Sequence, residues 1–178
     1  MNLLNHTRVY LAGNMECTSD CNSWRNYVKS EMAKMGVVTL SPLETTFYNQ
    51  RSETDEDREN LKSRREAGLY DEVHEYMRGV IQKDLRLIDI SDFIIINLEV
   101  DKPTFGTIHE LVVATQQKKP IFLVVKDKKR TPLWLLGLIK PKYIYESIDD
   151  VMNKIRDIDS GSHRMDSEKW RLLTADLR

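Results

Sequence analysis

Cysteine is nearly absent from this chain. Cys17 and Cys21 are the only two in 178 residues. Their four-residue spacing, with no second cysteine or histidine cluster nearby, makes neither a zinc site nor a disulfide scaffold, so free thiols in a reducing cytoplasm are expected. Long apolar runs are missing too. None approaches the length of a membrane span, and the opening MNLLNHTRVYLAG has no charged segment followed by a long apolar core, so a soluble, cytoplasmic protein with no membrane partner is expected. Charge of one sign is also lacking. With 27 basic against 28 acidic residues and a formal net charge of −1, no global field draws the protein to nucleic acid or an anionic surface. No internal repeat or low-complexity tract occurs.

What is there is 40% hydrophobic residues in a chain of single-domain length, enough for one real core. The organising stretch is Asp84 to Val125. It holds two short apolar runs rich in β-branched residues, Phe93 to Leu98 and Ile121 to Val125, with an amphipathic stretch between them, the pattern of a β-α-β unit with buried parallel strands. Upstream, Val9 to Ala12 reads as a first strand, ended by Gly13-Asn14, a pair that tolerates the positive φ of a tight turn. Ser19 or Asp20 can cap a following helix, in which Trp24, Tyr27, Val28, Met32 and Met35 recur at helical steps until Gly36 stops it. Val37 to Leu40 is a second strand. The fold class that follows is α/β: one doubly wound, Rossmann-like or flavodoxin-like domain over about residues 1–158, with a mostly parallel five-stranded sheet.

Residues 43–70 are heavily charged in both signs and read as a solvated, mobile loop, with Phe47, Tyr48 and Asn49 placed for a lid just beyond a strand end. A helix resumes near Asp71, with Val73, Met77, Val80, Ile81, Leu85 and Ile88 in one apolar stripe. Asp84 lies inside that stripe. It is either a cap bonded to nearby backbone or a carboxylate at the floor of a pocket. Asp89 and Asp92, where the chain leaves this helix, read as turn residues. Lys126 to Arg130 is an exposed basic turn, Trp134 to Ile139 a short apolar element for core or subunit contact, Tyr143 to Tyr145 an edge strand, and Ile148 to Ile155 a last helix. Residues 159–178 form a polar arm that either packs on a neighbouring subunit or is loose.

In open parallel sheets ligands bind at the carboxyl ends of the strands, so chemistry is sought after Leu98. There Thr107-Ile108-His109-Glu110 has the spacing of a capping box, and spacing alone favours that reading of Glu110. Against it, Gly106 lets a ligand approach the backbone, and the helix start favours an anion. A carboxylate held ionised there, facing a cleft, suits attack on an electrophilic carbon. His109 faces elsewhere.

The blocks Val9-Tyr10-Leu11-Ala12-Gly13-Asn14-Met15, Asp84 to Ile88 with Asp92, Gly106-Thr107-Ile108-His109-Glu110-Leu111 and Lys119-Pro120-Ile121, in this order and spacing, resemble the nucleoside 2-deoxyribosyltransferase family, including its deoxynucleoside 5′-monophosphate N-glycosidases. The resemblance implies Glu110 as nucleophile on the anomeric carbon, Tyr10 as the hydroxyl that orients it, and Asp84 as a carboxylate at the sugar and base site. It further implies Gly13, Asn14, Phe47, Asp92, Thr104, Gly106 and Thr107 as substrate-binding positions. The expected activity is transfer of a deoxyribosyl group between free nucleobases through a covalent glycosyl-glutamate. Hydrolysis of deoxynucleotides and a non-catalytic nucleotide-binding regulator are the alternatives. Neither metal nor redox cofactor is implied, and a homo-oligomer is. Thr104 stands where relatives often carry aspartate, and Asn14 where many have proline.

Overall fold

The structure is a computed structural model, and it describes residues 2–14, 22–44, 54–102, 105–162 and 170. The lid candidates Phe47, Tyr48 and Asn49, the position Thr104, both cysteines and the expected caps Ser19 and Asp20 lie outside the described residues. In chain order the elements are β1 (Arg8–Gly13), α1 (Ser23–Lys34), β2 (Val38–Leu40), α2 (Asp55–Glu66), α3 (Tyr70–Ile90), β3 (Phe93–Asn97), α4 (Phe105–Gln116), β4 (Ile121–Val124), α5 (Leu133–Leu138), β5 (Ile144–Tyr145) and α6 (Ile148–Asp159). The sheet order is β2-β1-β3-β4-β5 and every pairing is parallel, the doubly wound arrangement whose crevice lies between β1 and β3.

Strand alternation sorts the core into two layers. Val9, Leu11, Phe93, Ile95, Phe122 and Val124 face α1 and α6, meeting Val28, Met32, Val151, Met152 and Ile155. Tyr10, Ala12, Ile94, Ile96, Ile121 and Leu123 face the other way, toward Leu87 and Ile88 of α3, Leu111 and Ala114 of α4 and Leu135 of α5. Both faces being covered is why the strands read as near-continuous apolar runs. Lys119 explains its place in the sequence pattern structurally: its ammonium donates to the Ile88 carbonyl at 2.7 Å, the Asp89 carbonyl at 2.9 Å and the Ser91 carbonyl. It thereby closes the carboxyl end of α3, where a cation meets orphan carbonyls and the negative end of the helix dipole.

Four expectations change. The charged stretch read as a loop contains the helix α2, started by a capping box in which Thr54 and Asp57 bond each other's backbone N–H groups; Thr54-x-x-Asp57 carried that signal. The stripe on α3 is buried only near its carboxyl end, while Met77 and Ile81 are exposed. A 21-residue helix is about 30 Å long against about 20 Å for the longest strand, so its first half overhangs the sheet and packs on α2. The helix α1 is preceded by Asn22, later than the expected cap. The terminal arm is neither loose nor turned to a neighbour at Trp170, which is 2% exposed and lies 5.4 Å from Phe93 and 6.1 Å from Phe122, ring centre to ring centre. Elsewhere Gly36 stops α1 as expected, with φ +72°. Among the described residues no helix is long and apolar enough to cross a membrane.

Trp170→Ala is expected to cost about 3–5 kcal/mol of folding free energy, read as a lowered urea midpoint. A loss under about 1 kcal/mol would show that the indole is not part of the core.

Candidate active site

The first link is between two residues a hundred positions apart. Tyr10 sits in the middle of β1 with its ring fully buried, and its hydroxyl donates to Glu110 Oε1 at 2.6 Å. Glu110 projects from α4, the helix that follows β3, so the pair spans the two strands that flank the crevice. The capping-box reading of Thr107 and Glu110 fails, because α4 begins at Phe105 and both residues are already inside the helix. Glu110 therefore turns away from the helix start and toward Tyr10, and His109, its neighbour, is exposed.

Asp84 belongs to this cluster. Its charge acts on both Tyr10 and Glu110, and its Oδ1 lies 3.9 Å from the Lys83 ammonium. Asp84 thus stands within electrostatic reach of the Tyr10–Glu110 pair. Lys83 is itself buried and donates to the Pro42 carbonyl at 2.7 Å, tying α3 to the segment after β2.

Burial is the strongest influence on Glu110 and pushes its carboxyl up to about 8. The Tyr10 hydroxyl opposes this by donating to it, Asp84 adds to it by like charge, and the Arg25 guanidinium pulls back. Tyr10 is held well above the ordinary phenol range, first by burial and then by the two carboxylates. Removal from water thus works against the carboxylate held ionised that the helix start suggested, and outweighs the stabilising donors.

The remaining candidates divide. Gly13 ends β1, without the positive φ expected of it. A Cβ there would lie 3.0 Å from the Asn97 carbonyl oxygen and 3.1 Å from the Trp24 ring, so glycine is required by close approach. Asn14 and Thr107 are buried beside the same strand ends. At Gly106 an added Cβ would meet nothing within 4 Å among the described residues. Asp92 does not belong to the site. Its Oδ2 accepts from the Arg8 backbone N–H at 2.7 Å, at the amino ends of β1 and β3, the opposite edge of the sheet. Arg25 and Lys83 are the residues that sequence reasoning missed. Each is a basic residue placed among the buried positions of its helix, Arg25 beside Val28 and Lys83 beside Leu87, the same signal that singled out Asp84.

A small recess, open to solvent, lies on the α1 side of the sheet. It is lined in part by Arg25, Lys29, Thr39, Ser41 and Glu44, and Glu110, Tyr10 and Asp84 do not border it.

Fold and cluster together define a doubly wound α/β protein with a buried acid–phenol pair at the switch point of its sheet. The chain matches the pattern of the nucleoside 2-deoxyribosyltransferases over residues 9–155 and belongs to that family, a family of enzymes. Among solved structures, a 2-deoxyribosyltransferase from the psychrotolerant bacterium Bacillus psychrosaccharolyticus is similar with a TM-score of 0.55. It is 18% identical, over 83% of this chain and 91% of that one. A conserved protein from Enterococcus faecalis V583 is similar with a TM-score of 0.53 and 15% identity, over 85% of this chain and 98% of that one. Among curated proteins no sequence matches.

The raised Glu110 fixes the sign of a pH effect. Its acidity in the fold, near 8, lies above that of the unfolded chain, about 4.3. Between those values the folded state therefore holds more protons, and stability falls as pH rises through this window. Glu110→Gln removes that loss. Its urea stability should match the wild type's near pH 4 and exceed it by roughly 5 kcal/mol above pH 8. A difference that does not change with pH would refute the buried neutral acid.

Proposed function

We propose that this protein breaks and re-forms N-glycosidic bonds of 2′-deoxynucleosides, exchanging one nucleobase for another. The observation that carries the reading is the 2.6 Å contact between the Tyr10 hydroxyl and Glu110 Oε1, with Asp84 close by, at the crevice between β1 and β3.

Glu110 in its ionised form attacks the anomeric carbon of the sugar while the bond from that carbon to the base nitrogen breaks. The electron pair of the broken bond stays on the base, which leaves with a proton supplied at the site, and the sugar becomes an ester on Glu110. Attack by a second base expels the glutamate and restores it, so two inversions give net retention. Tyr10 fixes which carboxylate oxygen is presented. A phenol held well above its usual range stays a donor throughout, steadying the carboxylate in the free and leaving states. Asp84 is assigned to the sugar and base side of the pocket, with Gly13, Asn14, Gly106 and Thr107 as substrate contacts.

A second reading keeps the nucleophile and replaces the incoming base by water, acting on deoxynucleoside 5′-monophosphates. It is favoured by the open space at Gly106, in the first turn of α4, where backbone N–H groups suit a phosphate. Self-association is proposed as well, since Leu133 and Trp134 on α5 and Phe105 on α4 are exposed.

Incubation with deoxynucleosides, and separately with their monophosphates, with and without a second free base, distinguishes exchange from hydrolysis. Binding without turnover would mark a regulator instead. Glu110→Ala should lower kcat by at least about 10³-fold with the fold retained; residual activity near wild type removes Glu110 from the nucleophile role. For the wild type, kcat/KM should rise with pH along a limb near 8, the Glu110 ionisation in free enzyme. A flat profile from pH 6 to 9 would refute that assignment.

A further inference from the structure

The chain leaves β3 and β4 side by side at the carboxyl edge of the sheet, and an ion pair joins the two connections. Asp101 lies between β3 and α4, and Arg130 ends the short turn Lys128–Arg130 after β4. Arg130 Nη1 donates to Asp101 Oδ2 at 2.8 Å, and its Nη2 donates to the other carboxylate oxygen. Two parallel bonds from a planar guanidinium fix the orientation of a carboxylate as well as its distance.

The two sides of this fork are held differently. On the Arg130 side the turn is anchored several times over. Asp127 Oδ1 accepts from the Lys129 N–H at 3.1 Å, and the Arg130 N–H donates to the Asp127 carbonyl at 2.9 Å. The hydroxyl of buried Thr131 donates to the Lys128 carbonyl at 2.7 Å, and the Lys128 ammonium donates to the Pro141 carbonyl at 2.8 Å. On the Asp101 side the turn is bonded to itself. The Lys102 N–H donates to the Glu99 carbonyl at 3.2 Å, and the Lys102 ammonium pairs with Glu99 at 2.6 Å. Those contacts set the shape of the turn, whereas the fork sets its place against a fixed neighbour.

We propose that Asp101 and Arg130 are positioning residues, a clamp that holds the β3–α4 connection in place beside the substrate crevice. The proposal rests on the nucleoside-exchange reading for what that crevice binds. The crevice opens at the carboxyl ends of β1 and β3, so the chain leaving β3 forms one of its walls. Glu110 is held by other means, through the Tyr10 hydroxyl and the buried Leu111 and Ala114 of the same helix. The clamp therefore acts on how substrate is held, not on the nucleophile. The side chains are 52% exposed at Arg130 and 67% at Asp101, so the pair adds little to global stability and salt screens it.

The test compares wild type, Asp101→Asn, Arg130→Gln and the double variant, all changed at exposed positions where the fold tolerates substitution. Backbone order parameters at residues 99–102, read by ¹⁵N relaxation, should fall from the rigid value of about 0.85 toward about 0.6 in each single variant. The double variant should fall no further, because one fork is lost only once. With an uncharged deoxynucleoside as substrate, KM should rise about 2- to 5-fold, with kcat unchanged. Raising sodium chloride from about 0.05 to about 1 M should raise the wild-type KM in the same way and leave that of the variants level. Unmoved order parameters, additive effects in the double variant, or a loosened connection with KM unmoved overturns the proposal. A loosened connection in a protein that turns over no deoxynucleoside or monophosphate upholds the clamp and sinks the exchange reading instead.

Discussion

The cost of holding a carboxylate out of water governs this structure more than any other term. Glu110 is buried against the sheet, where the Tyr10 hydroxyl from β1 donates to it. The charges of Asp84 on α3 and Arg25 on α1 also act on it, with opposite sign. Burial and Asp84 press the acid toward its neutral form, and the phenol and guanidinium press it toward the charged one. The balance leaves the carboxyl raised to about 8.

The scaffold serves that balance by bringing β1 and β3 side by side. Their register pairs Gly13 with Asn97, so the two strands end level and the helix after β3 starts above the end of β1. The crowding at Gly13 comes from the same juxtaposition: the Asn97 carbonyl, the Trp24 ring and the Arg25 guanidinium all occupy the place of a side chain. Lys119 and Asp92 do comparable work at the opposite edge, one closing the end of α3 and the other joining the start of β1 to the start of β3. Polar residues near strand ends thus divide by edge. Those at the amino edge hold the fold together, and the candidate site gathers at the carboxyl edge.

Much of this was legible in the sequence. The apolar runs Phe93 to Leu98 and Ile121 to Val125 could only be buried strands, and the link between them needed a crossover helix. The misplaced elements have physical reasons. Residues 55–66 are so polar that no stripe marks a helix, and α2 forms on its capping box, its i,i+3 and i,i+4 side-chain bonds such as Lys62–Glu59 and Arg64–Asn60, and its packing on α3. The stripe on α3 suggested burial along its whole length, but periodicity carries no information on how far a helix overhangs its sheet. Asp92 matched a family block for a structural reason, which a one-dimensional pattern cannot separate from a catalytic one.

The sequence by itself determined the class of fold, the order of its strands and helices, and the short set of acids worth considering, because hydrophobic period and turn chemistry are local properties. Only the tertiary structure decided what those acids are. Whether Glu110 caps its own helix or meets Tyr10, and which charges lie near that pair, depend on contacts between residues up to a hundred positions apart. The ionisation of Glu110 depends on the water those contacts exclude, a quantity that exists only once the chain has closed around it.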